Sequence, residues 1–164
     1  MISDQSAAMP KLRLNVLDTP SAANVIAIWQ YREWGQHEEG VTLAGTRAWA
    51  ASCIDSSRIP SAFVCYVDEQ LAGTSSVIES DLPGFEHFAP WLANVYVEPK
   101  YRNLGIGRRL IERAARFATE LRIEALYLYT FDKVSYYERM GWRTVETTNY
   151  VGKVITIMKR ALRA

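Results

Sequence analysis

The chain has 164 residues, 49% of them apolar and 23% charged, with a formal net charge of +1. So even a balance excludes a nucleic-acid or membrane surface as the main partner, and no apolar run approaches the ~20 residues that cross a bilayer. The size suits one domain with a full core, and we expect a flexible N-terminus over 1–10 and a single domain over 11–164.

Met1 to Pro10 has neither a basic start nor a continuous apolar stretch, so no secretory signal is expected there. Lys11 to Leu17 alternates as a first strand, with Leu12, Leu14 and Val16 on one face. Thr19-Pro20 has the form of a helix start, a capping hydroxyl before a first-turn proline. Val25, Ile28, Trp29 and Arg32 continue that helix with a one-sided stripe. Gly35 and Gly40 punctuate the next segment, and a second helix is expected over Leu43 to Ile54.

Ser61 to Val67 and Leu71 to Ile78 read as a hairpin around a short polar turn. Asp81 to Pro90 is a loop holding Pro83, Gly84 and Pro90. Trp91 to Val97, nearly all apolar, reads as a central strand buried on both faces. A long helix is predicted from Gly105 to Leu121, with Leu110, Ala114, Phe117 and Leu121 on its apolar face. Arg108, Arg109, Arg113 and Arg116 fall on that helix as a solvated face. A strand over Ala125–Thr130, a short helix over Lys133–Met140 closed by Gly141, and two last strands over Trp142–Thr148 and Val151–Met158 complete the chain. Cys53 and Cys65 both lie in apolar segments and read as buried free thiols, which suits a reducing cytoplasm.

The junction after the central strand carries the strongest chemical signal. Val97-x-Pro99-x-x-Arg102-x-x-Gly105-x-Gly107-x-x-Leu110 delivers a glycine-containing loop from a strand to a helix N-terminus. The first turn of a helix leaves backbone N–H groups unpaired and carries partial positive charge, so a phosphate fits there. A Walker loop would need Gly-Lys followed by Ser or Thr, and Gly107 is followed by Arg108-Arg109. A dinucleotide fingerprint would need a third glycine or alanine where Leu110 stands, and an early strand rather than this late one.

What remains resembles the acetyl-CoA loop of the Gcn5-related N-acetyltransferase (GNAT) superfamily. The segment Thr130-Phe131-Asp132-Lys133-Val134-Ser135-Tyr136-Tyr137-Glu138-Arg139-Met140-Gly141-Trp142 is also similar to that family's strand, short helix and Tyr-x-x-x-Gly-aromatic signature. The resemblance implies an α/β (α+β) fold, a mixed and mostly antiparallel sheet of about seven strands flanked by about four helices. It implies acetyl-CoA as cofactor and an acetyl group passed directly to an amine. The backbone groups of Asn103, Leu104, Gly105, Ile106, Gly107 and Arg108 would hold the pyrophosphate, with Arg102 pairing to a phosphate oxygen. Glycines at 105 and 107 would leave room for those phosphates. Val95, Tyr96 and Val97 would meet the pantetheine arm as a partial extra strand, and the Val97 N–H would polarise the thioester carbonyl.

Tyr137 falls at the family's general-acid position, where a phenol protonated at neutral pH can donate to the leaving sulfur. Tyr136 beside it is expected to pack in the core. Three positions depart from the family pattern: Trp91 where some relatives carry a carboxylate, Thr130 where many have asparagine, and Lys133 where a small residue is commoner. The base is therefore open, with Glu79, Glu86 and His87 as groups acting through water. The acceptor would lie between the first two helices and the sheet, among Trp29, Tyr31, Trp34, His37, Glu38 and Glu39, with Glu79, Trp91 and Asn94 from the sheet side. Aromatic faces beside carboxylates suit a cationic amine. No metal-ligand cluster occurs. A small-molecule amine is the expected acceptor; a peptide N-terminus or lysine, a CoA-binding module without turnover, and a mononucleotide-binding enzyme of another fold are the rivals. The edge strands of such a sheet also offer a surface for a homodimer.

Overall fold

The computed structural model describes residues 8–163. Of the segment expected to be flexible, residues 1–7 lie outside the described residues, and 8–10 are exposed and without regular structure. Seven strands and four α-helices follow: β1 (Leu12–Val16), α1 (Pro20–Glu33), α2 (Leu43–Ser52), β2 (Ser61–Val67), β3 (Gln70–Ile78), β4 (Trp91–Val97), α3 (Ile106–Glu120), β5 (Ala125–Thr130), α4 (Val134–Glu138), β6 (Arg143–Tyr150) and β7 (Lys153–Ala161). They form one mixed sheet in the order β1-β2-β3-β4-β5-β7-β6. Among the described strands only the β4–β5 neighbours run parallel; α3 makes the crossover between them.

Local chemistry sets the helix starts. The Thr19 hydroxyl accepts from the Ala22 N–H at 3.1 Å, with Pro20 in the first turn. The Thr42 hydroxyl does the same for Gly45 at 3.0 Å. α3 is polar on one side and apolar on the other; Ile106, Leu110, Ile111, Ala114, Phe117 and Ala118 are buried.

Strand alternation divides the core in two. Phe63, Cys65 and Val67 face α3 together with Leu92, Leu126, Leu128, Trp142 and Met158. Ala62 and Val64 face the opposite way, against Ile26, Ala27 and Trp29 of α1 and Ala50 of α2. On that second side a third cluster, Leu82, Trp91, Ile155 and Ile157, is roofed by Phe85 and Phe88 of the β3–β4 loop. The loop and the α1–α2 pair thus cover separate parts of one face, and the space between them is left open.

Three expectations about faces need correction. Ile28 is 38% exposed, and α1 turns Ala22, Ala23, Ile26, Ala27, Trp29 and Gln30 inward, the small residues letting the helix lie close to the sheet. Leu121 is also 38% exposed, because α3 ends at Glu120 and Leu121 caps it in solvent. β4 is not buried along its whole length: Asn94, Val95 and Val97 are half-buried. The reason is that β5 pairs with β4 only at Trp91–Tyr127 and then diverges.

β3 carries a packing constraint that the sequence does not advertise. A Cβ on Gly73 would stand 2.8 Å from the Tyr96 carbonyl oxygen and 3.0 Å from Leu110 Cδ1, so only glycine lets α3 and β4 approach there. Gly73→Ala is expected to cost about 1–3 kcal/mol, read as a lower urea midpoint with an unchanged slope.

Candidate functional site

Where β4 and β5 part, their facing edges line a cleft of about 490 Å³. Leu92, Ala93, Asn94 and Val95 form one side; Leu128, Tyr129 and Thr130 form the other, and Tyr137 and Lys133 close the end. Strand parity decides which groups face the gap. The Glu98 N–H bonds back to the Ala72 carbonyl on β3 at 2.8 Å. The peptide groups of Val97 and Val95 therefore turn to the open edge. The Val97 carbonyl there accepts from Arg102 Nε at 2.9 Å. Arg102 thus lies along the strand edge, its guanidinium 5.9 Å from the Tyr96 ring.

Beyond β4 the chain makes a 3-10 turn over Pro99–Tyr101 and enters α3 through two left-handed residues, Asn103 (φ 64°) and Gly105 (φ 75°). The first backbone bond into the helix runs from the Arg109 N–H to the Gly105 carbonyl at 3.2 Å. Among the described residues, the N–H groups from Asn103 to Arg108 donate to no carbonyl or side chain. Such a run makes a concave anion site at the positive end of the helix.

The two glycines serve different ends. A Cβ on Gly105 would meet open space, and its positive φ is what requires glycine. At Gly107 the space is taken: the Tyr136 hydroxyl lies 3.0 Å from where a Cβ would stand. Whatever room it leaves for a phosphate, the glycine at 107 also makes room for Tyr136.

Thr130 is only 7% exposed, and its hydroxyl accepts from the Lys133 N–H at 3.0 Å, holding the β5–α4 turn. The Lys133 ammonium is exposed beside Asp132, at 3.8 Å. Tyr137 ends the cleft; burial, then the neighbouring Tyr136, pushes its phenol up to about 12.

A second hollow of about 400 Å³ opens between α1, α2 and the sheet. Gln30, Trp34, Thr46 and Trp49 line it from the helices, and Asp81, Asn94 and Tyr129 from the sheet side. Trp34, Glu38, Asp81, Asn94 and Tyr129 belong to both hollows. Asn94 sits on a β-bulge with φ 55°, its amide donating to the Ser76 hydroxyl at 2.9 Å. Burial, then the Glu38 carboxylate, raises the Asp81 carboxyl to about 7. Burial, then Asp81 and Glu38, raises the Tyr129 phenol as well.

Of the nine acceptor-side residues read from the sequence, the structure brings Trp34, Glu38 and Asn94 to the hollows and leaves six out; Tyr31, His37 and Glu39 line neither hollow. Trp29 is 6% exposed and packs against Tyr96, with ring centroids 5.1 Å apart, because α1 turns it into the core. Trp91 is fully buried among Phe88, Tyr127 and Tyr129. Glu79 is exposed at the end of β3 and lines neither hollow. Nor do the other groups considered as bases. Glu86 Oε1 accepts from the Gly84 N–H at 2.9 Å, and the His87 ring lies against Phe88 at 4.2 Å.

Asp81 was missed, hidden in a stretch with turn composition. The usable signal was the apolar set Leu82, Phe85 and Phe88, which shows that this loop packs down and carries Asp81 inward. Among the described residues no group of three His, Cys, Asp or Glu side chains is placed to hold a metal ion. No helix among them is long and apolar enough to cross a membrane.

The acetyltransferase (GNAT) family model matches residues 24–142. Among solved structures, a GNAT-family acetyltransferase from Streptococcus pneumoniae aligns over 93% of this chain and 100% of its own, at 15% identity and TM-score 0.69. The yncA protein of Salmonella typhimurium, solved with its cofactor acetyl-CoA, aligns over 93% and 94%, at 16% identity and TM-score 0.70. An aminoglycoside 6'-N-acetyltransferase complexed with coenzyme A aligns over 93% and 98%, at 16% identity and TM-score 0.71. Likeness at this identity carries the fold. No curated protein matches the sequence.

The raised Asp81 carboxyl has a consequence for stability. Its ordinary value is 3.8 and its folded value about 7, so folding opposes its ionisation. What the neutral form contributes is fully present below about pH 4 and is lost as pH rises through 7. Asp81→Asn removes the charge, so its Tm should exceed the parent's at pH 8 and converge with it near pH 4. In a chain this long each kcal/mol gained shifts Tm by about 2–4 °C; scanning calorimetry at the two pH values reads the difference.

Proposed function

The chain belongs to the GNAT acetyltransferase family, and from that premise we propose that it moves an acetyl group from acetyl-CoA directly to a primary amine of a small molecule. The observation that carries this reading is the shared wall of Trp34, Glu38, Asp81, Asn94 and Tyr129 between the two hollows. Direct transfer needs donor and acceptor to meet at a common wall, held in reacting geometry. The volume of about 400 Å³ on the acceptor side is that of a small-molecule site.

The residues present fit the donor, and the ligands of the yncA protein and of the aminoglycoside enzyme support its identity. The unpaired amides from Asn103 to Arg108, with Arg102 beside them, suit a diphosphate. The open edge at Val95 and Val97, on either side of Tyr96, suits an extended arm carrying amides, with Thr130 and Lys133 across the cleft. Bound there, acetyl-CoA supplies an acetyl thioester.

Asp81 is assigned as the base. An amine of reference pKa about 10.4 gives up its proton to an ordinary carboxylate of about 4 only across some six pK units. Raised to about 7, Asp81 narrows that gap to between three and four. Tyr129 and Glu38 face it from β5 and from the segment after α1.

Tyr137 keeps its proton at every working pH. A transfer from a phenol at about 12 to a thiolate of ordinary pKa about 8.5 runs uphill by roughly 5 kcal/mol. Its contribution would therefore be a hydrogen bond to the departing sulfur; the ammonium gives up two protons in all, one to Asp81 before attack and one, as the C–S bond breaks, to the thiolate. The buried free thiols of Cys53 and Cys65 are consistent with work in a reducing cytoplasm.

Coenzyme A release, followed with an amine in excess, tests these roles. Asp81→Asn should lower kcat by about 10²–10⁴-fold and abolish the inflection near pH 7 below which the parent loses activity. Tyr137→Phe should lower kcat about tenfold, the worth of one hydrogen bond, while the KM for acetyl-CoA stays within about twofold. A parental kcat in either variant removes that residue from the mechanism.

A further inference from the structure

The acceptor hollow has a chemistry of its own, and the substrate class inferred from it rests on reading that hollow as the place where the amine binds. Its charged lining residues, Glu38 and Asp81, are both acidic. In the adjoining hollow Glu33 is paired with Arg32 at 3.7 Å, and Asp132 and Lys133 stand together at the far end. Arg32 also lies 2.7 Å from the Tyr96 hydroxyl and 3.7 Å from Glu98, and it lines neither hollow. Within the acceptor hollow an acid group would meet only like charge among the described residues, whereas an ammonium would meet Glu38 and Asp81 beside the Trp34 ring.

A second observation is independent of charge. Gln30 is 6% exposed, lines the same hollow, and its Nε2 has no hydrogen-bond partner among the described residues. Buried amides almost always find an acceptor, so an unmet N–H in a ligand-sized hollow marks where a ligand atom belongs. The atom it calls for is an oxygen.

We infer that the acceptor is a small dicationic amine that also carries a hydroxyl or carbonyl oxygen: one nitrogen is presented to Asp81, the second ammonium is held by Glu38 beside Trp34, and the oxygen accepts from Gln30 Nε2. Simple amino acids are disfavoured substrates. Glu38 is exposed, so its share is modest, about two- to fivefold. Replacing the second ammonium by a carboxylate loses that attraction and adds repulsion, and should exceed tenfold.

Four three-carbon probes separate the parts: 1,3-diamino-2-propanol, 1,3-diaminopropane, propylamine and β-alanine, compared by kcat/KM at pH 8 and low salt. The expected order is the one in which they are named, with more than tenfold between 1,3-diaminopropane and β-alanine. Glu38→Gln should reduce the advantage of 1,3-diaminopropane over propylamine by about two- to fivefold. Gln30→Met should bring the ratio of the hydroxylated to the plain diamine close to one. If that variant does not fold, the parent's own ratio between the two diamines decides the point. β-Alanine used as fast as the diamines, or a hydroxyl without benefit in the parent, overturns this inference while leaving acetyl transfer standing. Measurable heat of acetyl-CoA binding with none of the four acetylated overturns both.

Discussion

The site depends on two parallel strands that meet once and then part. β4 and β5 share the Trp91–Tyr127 position, and past it each presents an unpaired edge to the other. Backbone groups left unpaired in a sheet interior are costly, so the gap persists only because something else enforces it. On one face α3 is pinned close to β3 and β4 through Gly73. On the other, Trp91, Tyr127, Tyr129 and Phe88 fill the base of the gap with rings that two regularly spaced strands could not accommodate. The bulge at Asn94 then turns β4 away from regular pairing. The result is a cleft whose walls are main chain, suited to a ligand that supplies the missing strand contacts.

That opening also sets the electrostatics. The β3–β4 loop roofs the aromatic base of the gap and carries Asp81 against Tyr129, within reach of the Glu38 charge. A carboxylate in that place opposes folding at neutral pH, and Gln30 keeps a buried N–H without a partner among the described residues. Both are defects by the standards of a stable core and both face the same hollow. Stability given up at positions that converge on one cavity is the usual mark of a site shaped for a ligand.

Much of the fold was legible because it rests on local rules. The Thr19-Pro20 cap, the two-sided α3 and the alternation of β1 placed their elements within a few residues. The loop into α3 was legible for the same reason, since positive φ at Gly105 and a free helix N-terminus are properties of a short segment. The acceptor side depends on the packing of distant segments. Trp29 and Trp34 differ in role because one α-helical turn separates the inward face of α1 from its end, where Trp34 reaches the hollow. Trp91 lies in the core because the roofing loop folds over it, which its own neighbours in sequence cannot reveal. Asp81 was hidden by the same fact: turn composition describes the chain around it and not the rings beneath it.

The adjacent tyrosines of α4 show how closely the two halves are tied. Tyr136 turns toward α3 and lays its hydroxyl over Gly107, at the start of the anion site. Tyr137, about 100° further round the helix, turns into the cleft between the strands. The ring centroids are 5.2 Å apart, edge to face, so neither ring can move far without the other. The Tyr136 phenol is raised by burial and drawn back by Arg108 and Arg139, so it stays a neutral hydroxyl among cations at the loop. A five-residue helix therefore ties the unpaired amides before α3 to the end of the cleft between the strands. The pairing also gives the glycine at 107 a packing role, since a methyl group there would stand 3.0 Å from the Tyr136 hydroxyl.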